Sequence, residues 1–135
     1  MIDRRDLMSN KKVHFSFEDL DVWQKAVDFA DKVISTIDEF NTDRKHFRLI
    51  EQMESAVTSI ALNVVGGMGR FSQKEFIQFL YIARGSLFET ITLMKIFKMR
   101  NWISDIQYID FRNKGNEIGK MLSSLINSIK RVSKQ

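Results

Sequence analysis

A short glycine-rich segment between two long series of regularly spaced apolar residues constrains the fold of this chain more than any other feature. The segment reads Gly66-Gly67-Met68-Gly69-Arg70. In the series before it, apolar residues alternate at steps of three and four: Ile50, Met53, Val57, Ile60 and Val64. Such steps place side chains on one face of a helix, and helices joined by a short connection pack side by side in opposite directions. We therefore predict a helix over about residues 44–65, closed by Gly66 in the left-handed conformation, and a second helix packed against it.

The same spacing and two helix-start signals predict four helices in total. Ser72-Gln73-Lys74-Glu75 and Ser104-Asp105-Ile106-Gln107 have the spacing of capping boxes, in which the two side chains satisfy free backbone amides. They open the third helix, which we expect to end at about Arg100, and the fourth. The first helix is predicted over about residues 17–40, with Ser16 as a weaker cap. The core faces of the first and fourth helices are predicted from two apolar series: Leu20, Trp23, Val27, Ala30, Ile34 and Ile37, then Phe111, Gly115, Ile118, Leu122, Leu125, Ile129 and Val132.

These elements predict an all-α fold, an antiparallel up-down-up-down four-helix bundle over residues 15–135 that follows a flexible tail, residues 1–14. The chain has 135 residues, no cysteine and no proline, which excludes disulfides and thiolate catalysis and favours long helices. Its two histidines, His14 and His46, have no partner at metal-ligand spacing. The N-terminal residues do not predict a secretory signal, and no apolar run approaches the ~18 residues of a membrane span. We expect a cytoplasmic protein that is not an enzyme, does not bind a membrane and holds no metal or cofactor.

The third helix is apolar around most of its circumference. One stripe, which includes Leu80 and Leu87, suits the core of the bundle. Further apolar side chains fall on other sides of the helix, among them these five: Phe79, Ile82, Phe88, Leu93 and Ile96. A helix that is apolar all round must be covered on more than one side, so these five are candidate residues of an interface with another copy of the chain. The alternative is that the chain termini cover them.

Small and polar residues mark the predicted contact between the second and third helices. Gly85 within a helix costs about 1 kcal/mol relative to alanine, and close approach of another backbone is the usual compensation. Asn63, with Ser59 one turn before it, either satisfies backbone groups or lines a small polar pocket. Glu89 lies among apolar residues, and we expect it to pair with a cation such as Arg70 because unpaired burial is expensive. The alternative role of Glu89 is that of an acid or a metal ligand.

Charge is divided unevenly along the chain. Residues 1–67 contain 9 Lys and Arg against 12 Asp and Glu, a net charge of −3, whereas residues 68–135 contain 12 against 5, a net charge of +7. Seven basic residues of the second half are candidates for contact with nucleic-acid phosphates: Lys95, Lys98, Arg100, Lys120, Lys130, Arg131 and Lys134. Those at the ends of the third and fourth helices would form two patches at opposite poles. Two alternatives stay open: cations are favoured at helix C-termini by the helix dipole, or the basic half attracts the acidic half, within one subunit or between neighbouring copies.

Several of these motifs together resemble a known protein family. Residues 17–26, Phe-Glu-Asp-Leu-Asp-Val-Trp-Gln-Lys-Ala, are similar to the opening of the four-helix bundle proteins encoded in intervening sequences of bacterial 23S rRNA genes. The resemblance covers about residues 15–130 and includes these positions: Gln52, Ser59, Ile60, Asn63, Gly67, Gly69, Arg70, Ser72, Glu75, Phe76, Phe79, Leu80, Ala83, Gly85, Ser86 and Glu89. One position departs from the family pattern, because Gly66 stands where the family has a glutamate. Any pairing of that acid with Arg70 is therefore lost or supplied by another residue.

The resemblance implies an antiparallel four-helix bundle that assembles into a ring-like homo-oligomer, a pentamer, with no established enzymatic activity. A related set of bundles, the accessory proteins of diversity-generating retroelements, forms pentameric barrels that bind a reverse transcriptase and RNA. By this analogy of fold, structured RNA or a protein–RNA complex is an expected partner, bound by basic helix ends repeated around the ring. A protein-interaction scaffold without a nucleic-acid role is the alternative.

Overall fold

The computed structural model describes residues 3–5, 13–40, 42 and 44–133, and all regular structure among those residues is helical. Four long helices follow one another: α1 (Asp21–Asp38), α2 (Phe47–Met68), α3 (Gln73–Met99) and α4 (Asp105–Ser133). Two short 3-10 turns, Ser16–Asp19 and Arg44–His46, precede α1 and α2. The all-α class and the four predicted helices are therefore confirmed. Most of the predicted tail, residues 1–14, lies outside the described residues.

Each helix packs against the next one along the chain, and α1 also contacts α4, so that the four helices enclose one core. The core contains large, fully buried side chains from the three longer helices: Phe97, Met53, Ile60, Leu80, Met94, Ile118, Leu122 and Ile126. Phe29 of α1 packs edge-on against Phe111 of α4, with ring centroids 6.2 Å apart. Burial of such side chains, at roughly 1.5–3 kcal/mol each, is the main stabilising contribution in a helical bundle.

The starts of α3 and α4 are as the sequence predicts. At α3 only one hydrogen bond of the predicted capping box is present among the described residues: the Ser72 hydroxyl accepts from the Glu75 amide at 3.1 Å. At α4 the capping box is complete, since the Ser104 amide donates to Gln107 Oε1 at 2.8 Å and the Gln107 amide donates to Ser104 Oγ at 3.1 Å. The predicted start of α1 is wrong. Leu20, the residue before α1, has an extended backbone with φ −81° and ψ 112° and provides no side-chain cap. It separates α1 from the 3-10 turn at Ser16–Asp19.

The first two glycines of the glycine-rich segment do not end a helix. Gly66 and Gly67 lie inside α2, which continues to Met68, and no described glycine has a positive φ. The prediction that Gly66 closes the helix in the left-handed conformation is therefore wrong. A methyl group on Gly67 would lie 2.8 Å from both Phe76 Cδ1 and Phe79 Cβ, so glycine is needed there for close contact between α2 and α3.

The core faces of α1 and α4 differ in part from the predicted ones. Val27 was expected in the core but is 38% exposed, whereas Phe29 and Val33 are buried. In α4, Val132 is 58% exposed and Ile126 is buried instead. Both helices carry more apolar residues than one stripe holds, and the packing of the neighbouring helices decides which of them are buried.

Candidate nucleic-acid interface

An open groove of about 830 Å³ runs between α3 and α4. Leu87 and Ile91 of α3 give it an apolar floor. A methyl group on Gly115 would lie 2.7 Å from Ile91 Cδ1, and one on Gly119 would lie 3.3 Å from Leu87 Cδ2. The two glycines, one helical turn apart, therefore allow α4 to lie close to the apolar side chains of α3.

The walls of this α3–α4 groove carry positive charge. Arg84 of α3 and Arg112 and Lys120 of α4 line it, and none of its described lining residues is acidic. The Arg84 guanidinium donates from Nη1 to Ser123 Oγ at 3.3 Å and lies over the Tyr81 ring, 5.0 Å from its centroid. These contacts hold the Arg84 charge at the groove, where an anionic ligand can approach it.

Further cations extend the charge beyond both ends of the groove. Lys130 of α4 donates from Nζ to the Tyr81 hydroxyl at 2.8 Å, and this hydrogen bond is the main cause of the lowered pKa of Tyr81. At the other end, the Nζ atoms of Lys95 and Lys98 lie 5.5 and 5.4 Å from the centroid of the Tyr108 ring. We call the six cations on this side of the bundle the basic face: Arg84, Lys95, Lys98, Arg112, Lys120 and Lys130.

Two acidic side chains of α4 are turned toward α1 instead. Glu117 pairs with Lys25 of α1 at 3.0 Å, and Asp110 pairs with Lys114 at 2.6 Å and with Lys32 of α1 at 3.7 Å. The hydrogen bond from Lys114 is the largest cause of the lowered pKa of Asp110, and Lys32 lowers it further. Because these carboxylates bind cations on the α1 side, they do not neutralise the basic face.

Four of the predicted nucleic-acid residues belong to the basic face: Lys95, Lys98, Lys120 and Lys130. Lys98 also forms an ion pair with Asp105 at 3.6 Å. Arg100 and Arg131 are exposed and do not line the groove. Lys134 lies outside the described residues.

Several residues that line the groove were not predicted as site residues, among them Arg84, Arg112 and Asn116. The two arginines lie between the predicted patches, so the cations form one series along the side of the bundle and not two separate poles. A signal was present in α4, where Arg112, Asn116, Gly119 and Ser123 follow at steps of four, three and four and so share one side of the helix. Their counterpart on α3 becomes recognisable only when the packing of the two helices is known.

The apolar excess of α3 remains exposed in the single subunit. Three of the five candidate interface residues are 53%, 59% and 37% exposed: Ile82, Phe88 and Ile96. Leu93, in contrast, is 5% exposed and belongs to the core, so it is unavailable to a neighbouring copy. Phe79 is half-buried, and the Arg70 guanidinium lies over its ring, 4.7 Å from the centroid.

Gly85 lies on the exposed side of α3, and a methyl group there would meet nothing within 4 Å. The expected close approach of another helix of the same subunit to Gly85 is therefore wrong. Within the described part of the subunit, nothing compensates the roughly 1 kcal/mol that a glycine costs inside a helix. The side of α3 that contains Gly85 is thus uncovered.

Asn63 belongs to a polar contact between α2 and α3. Its Nδ2 donates to the Ser59 carbonyl oxygen and to Ser59 Oγ, both at 2.8 Å, and Ser59 Oγ lies 2.9 Å from Ser86 Oγ. Every buried side-chain nitrogen or oxygen in the described part of the chain has a partner, so a structural role accounts for Asn63.

Glu89 is exposed, and no ion pair among the described residues joins it to Arg70. The predicted pairing of Glu89 with Arg70 is wrong, because the Glu89 carboxylate is not buried and so does not require a partner cation.

The described residues contain no group of three or more His, Asp or Glu side chains that could hold a metal ion. In the part of the chain that the structure covers, no helix combines the length and the apolar character needed to cross a membrane.

A family model and a solved structure are both similar to this chain. A family model described as 23S rRNA-intervening sequence protein matches residues 18–124, which include all of α1, α2 and α3 and most of α4. A similar crystal structure is that of a protein of unknown function from the S23 ribosomal protein family of Bacteroides thetaiotaomicron. The two sequences are 28% identical, and the match covers 78% of this chain and 97% of the other, with a TM-score of 0.72. Comparison with curated proteins gave no match.

Proposed function

The chain belongs to the 23S rRNA-intervening sequence protein family, and we propose that it is a cytoplasmic, non-enzymatic helical bundle that assembles with copies of itself and binds structured RNA or a protein–RNA complex. The basic face carries this proposal, because its cations lie along α3 and α4 while Asp110 and Glu117 pair with lysines on the α1 side. Lys and Arg that neutralise phosphates release counterions, so the affinity for RNA should fall steeply with salt. Repetition of the basic face in an oligomer would multiply a weak contact.

The proposed bundle is antiparallel, with an up-down-up-down course. Contacts along α3 and α4 support this direction. Arg84, in the first half of α3, meets Ser123 in the second half of α4, whereas Lys95, in the second half of α3, meets Tyr108 near the start of α4. Later residues of one helix thus contact earlier residues of the next, as helices of opposite direction require.

The proposed assembly uses the uncovered side of α3. Ile82 and Ile96 are 14 residues apart, close to four helical turns, so they lie on the same side of α3 as each other. Burial of these side chains against another copy would remove apolar surface from water. A neighbouring backbone packed on Gly85 would explain why glycine occupies that position. We propose a ring-like homo-oligomer, a pentamer, built through this contact.

Charge placed on the uncovered side of α3 tests the assembly. Ile82→Glu should dissociate the oligomer, because it replaces an apolar contact side chain with a second carboxylate on the side of α3 that already carries Glu89. Ile106→Glu is the matched control at an isoleucine of α4 that is 81% exposed, and it should leave the mass unchanged. Light scattering measures both. Dissociation by both variants or by neither would contradict the proposed contact.

Gel shifts with ribosomal RNA fragments at increasing salt test the RNA function. The double variant Arg112→Glu/Lys120→Glu reverses two charges in the groove, and it should weaken binding strongly and reduce the salt dependence. The double variant Lys45→Glu/Arg48→Glu changes the net charge equally at exposed side chains outside the groove and should weaken binding much less. Circular dichroism checks that both remain helical. Equal loss in both variants, or no binding by the unaltered protein at low salt, would refute the assignment.

A protein-interaction scaffold without a nucleic-acid role is the second candidate. Five acidic residues in or next to α1 are exposed and form no ion pair among the described residues: Asp21, Asp28, Asp31, Asp38 and Glu39. They complement the basic face in sign, so the basic face of one copy would bind α1 of the next. Screening by salt weakens such a contact, so an oligomer that dissociates in high salt would favour this candidate.

A further inference from the structure

We propose that the α3–α4 groove binds an unpaired nucleotide of the RNA, with the base stacked on Phe88 and the adjacent phosphates bound by Arg84, Arg112 and Lys120. This inference rests on the proposed RNA function and adds the class of RNA that the groove accepts. The groove volume of about 830 Å³ falls in the range of sites that enclose small molecules, about 300–1,000 Å³. A short single-stranded segment can enter a site of this size.

Phe88 lines the groove and is 59% exposed. An exposed aromatic ring beside cations is a surface on which a base stacks, whatever its sequence. Each residue turns an α-helix by about 100°, so Phe88 lies roughly 80–120° around α3 from Ile82 and Ile96. Phe88 can therefore contact a ligand in the groove while another copy of the chain covers the side of α3 with Ile82 and Ile96. The sequence had instead predicted Phe88 at the interface between copies.

Two side-chain amides line the same groove, Asn116 and Asn127 of α4. Each amide supplies both donors and an acceptor, and among the described residues neither forms a side-chain hydrogen bond with the rest of the chain. These amides can form hydrogen bonds with the edge of an unstacked base, while the exposed ring stacks on the face of the base. A site for phosphate alone would need only the cations.

Two other occupants use fewer of these groups. The acidic residues of α1 from a neighbouring copy would satisfy the three cations of the groove, but they offer the two amides acceptors only, and an acidic side chain does not stack on Phe88. An A-form duplex would present its phosphates, but its bases are stacked inside the double helix and are read mainly by shape. Single-stranded RNA engages the cations, the ring and the amides together, so we assign the groove to it.

A labelled oligoribonucleotide, used alone or annealed to its complement, tests this assignment by fluorescence anisotropy. Phe88→Leu should weaken binding of the single strand by about tenfold and leave binding of the duplex unchanged, and Phe88→Trp should restore the affinity. Phe71→Leu is the matched control, because Phe71 is 108% exposed and does not line the groove. It should change neither affinity.

The outcomes separate this inference from the function on which it rests. If Phe88→Leu binds the single strand as tightly as the unaltered protein, or if the duplex binds better, the inference is overturned, while loss of binding in Arg112→Glu/Lys120→Glu would still support the RNA function. Failure to bind either RNA at low salt overturns both. A changed oligomeric mass of Phe88→Leu with unchanged RNA affinity would assign Phe88 to a contact between copies and also overturn the inference.

Discussion

Replacement of Gly67 by alanine tests the close contact between α2 and α3. An added methyl group would lie 2.8 Å from Phe76 Cδ1, 2.8 Å from Phe79 Cβ and 3.3 Å from the Phe76 carbonyl oxygen. The last two atoms cannot rotate away, because Cβ is attached to the backbone of α3 and the carbonyl is part of it. Relief of the overlap therefore requires the two helices to move apart.

Two opposing contributions set the size of the effect. Alanine is more favourable than glycine in a helix interior by about 1 kcal/mol, whereas an extra methylene in a packed core costs about 1–3 kcal/mol. We take the upper value because backbone atoms are involved, and so expect the free energy of unfolding to fall by about 2 kcal/mol. For a chain of this size, the corresponding drop in Tm is roughly 6–10 °C.

Urea and thermal unfolding followed by circular dichroism measure this change. Subunit concentrations must be equal, because self-association stabilises the folded state by mass action. Gly69→Ala is the control, since Gly69 is the C-cap of α2 with φ −79° and a methyl group there meets its nearest atom at 3.6 Å. That variant should be neutral or more stable by about 0.4–1 kcal/mol. If Gly67→Ala were as stable as Gly69→Ala, the tight contact between α2 and α3 would be refuted.

Three further predictions concern local interactions. Ser104→Ala removes the cap of α4 and should lower the free energy of unfolding by about 1 kcal/mol, and an unchanged urea midpoint would show that the cap contributes nothing. His14 Nε2 lies 3.0 Å from Asp19 Oδ2, and this contact raises the pKa of His14 above 6.5. The contact therefore stabilises the folded protein at lower pH, where the His14 ring is protonated. This stabilisation is lost as the pH rises through the raised pKa. Asp19→Asn should lower that pKa in an NMR titration, and an unshifted His14 would contradict the contact. Lys130→Gln should raise the pKa of Tyr81 by removing the charged donor, and tyrosinate absorbance that rises at the same pH in both proteins would count against it.

Features that depend on a few neighbouring residues were predictable from the sequence. The side-chain caps at Ser72 and Ser104 are of this kind, because each joins residues three apart in the chain. The role of Gly67 was not predictable, since it depends on Phe76 and Phe79 of another helix. Two glycines after an apolar series are equally compatible with a helix end and with a close helix–helix contact, and only the packing of α3 decides between them.

The basic face was predicted in part for the same reason. Lys120 and Lys130 were recognised from the sequence as basic residues of the fourth helix. Arg84 and Arg112 come from different helices, and their common groove exists only where α3 packs against α4. Leu93 was predicted at the interface between copies but is buried in the core. A helix with apolar residues on all sides does not reveal which of them face the core.

The solution mass of the purified protein, measured by light scattering together with the absorbance of bound nucleic acid, tests the proposed assembly and RNA binding most directly. We predict a particle several times the 15.9 kDa of one chain that carries RNA at low salt, and that releases the RNA at high salt without dissociating. A particle of 15.9 kDa that carries no RNA at any salt concentration would contradict both.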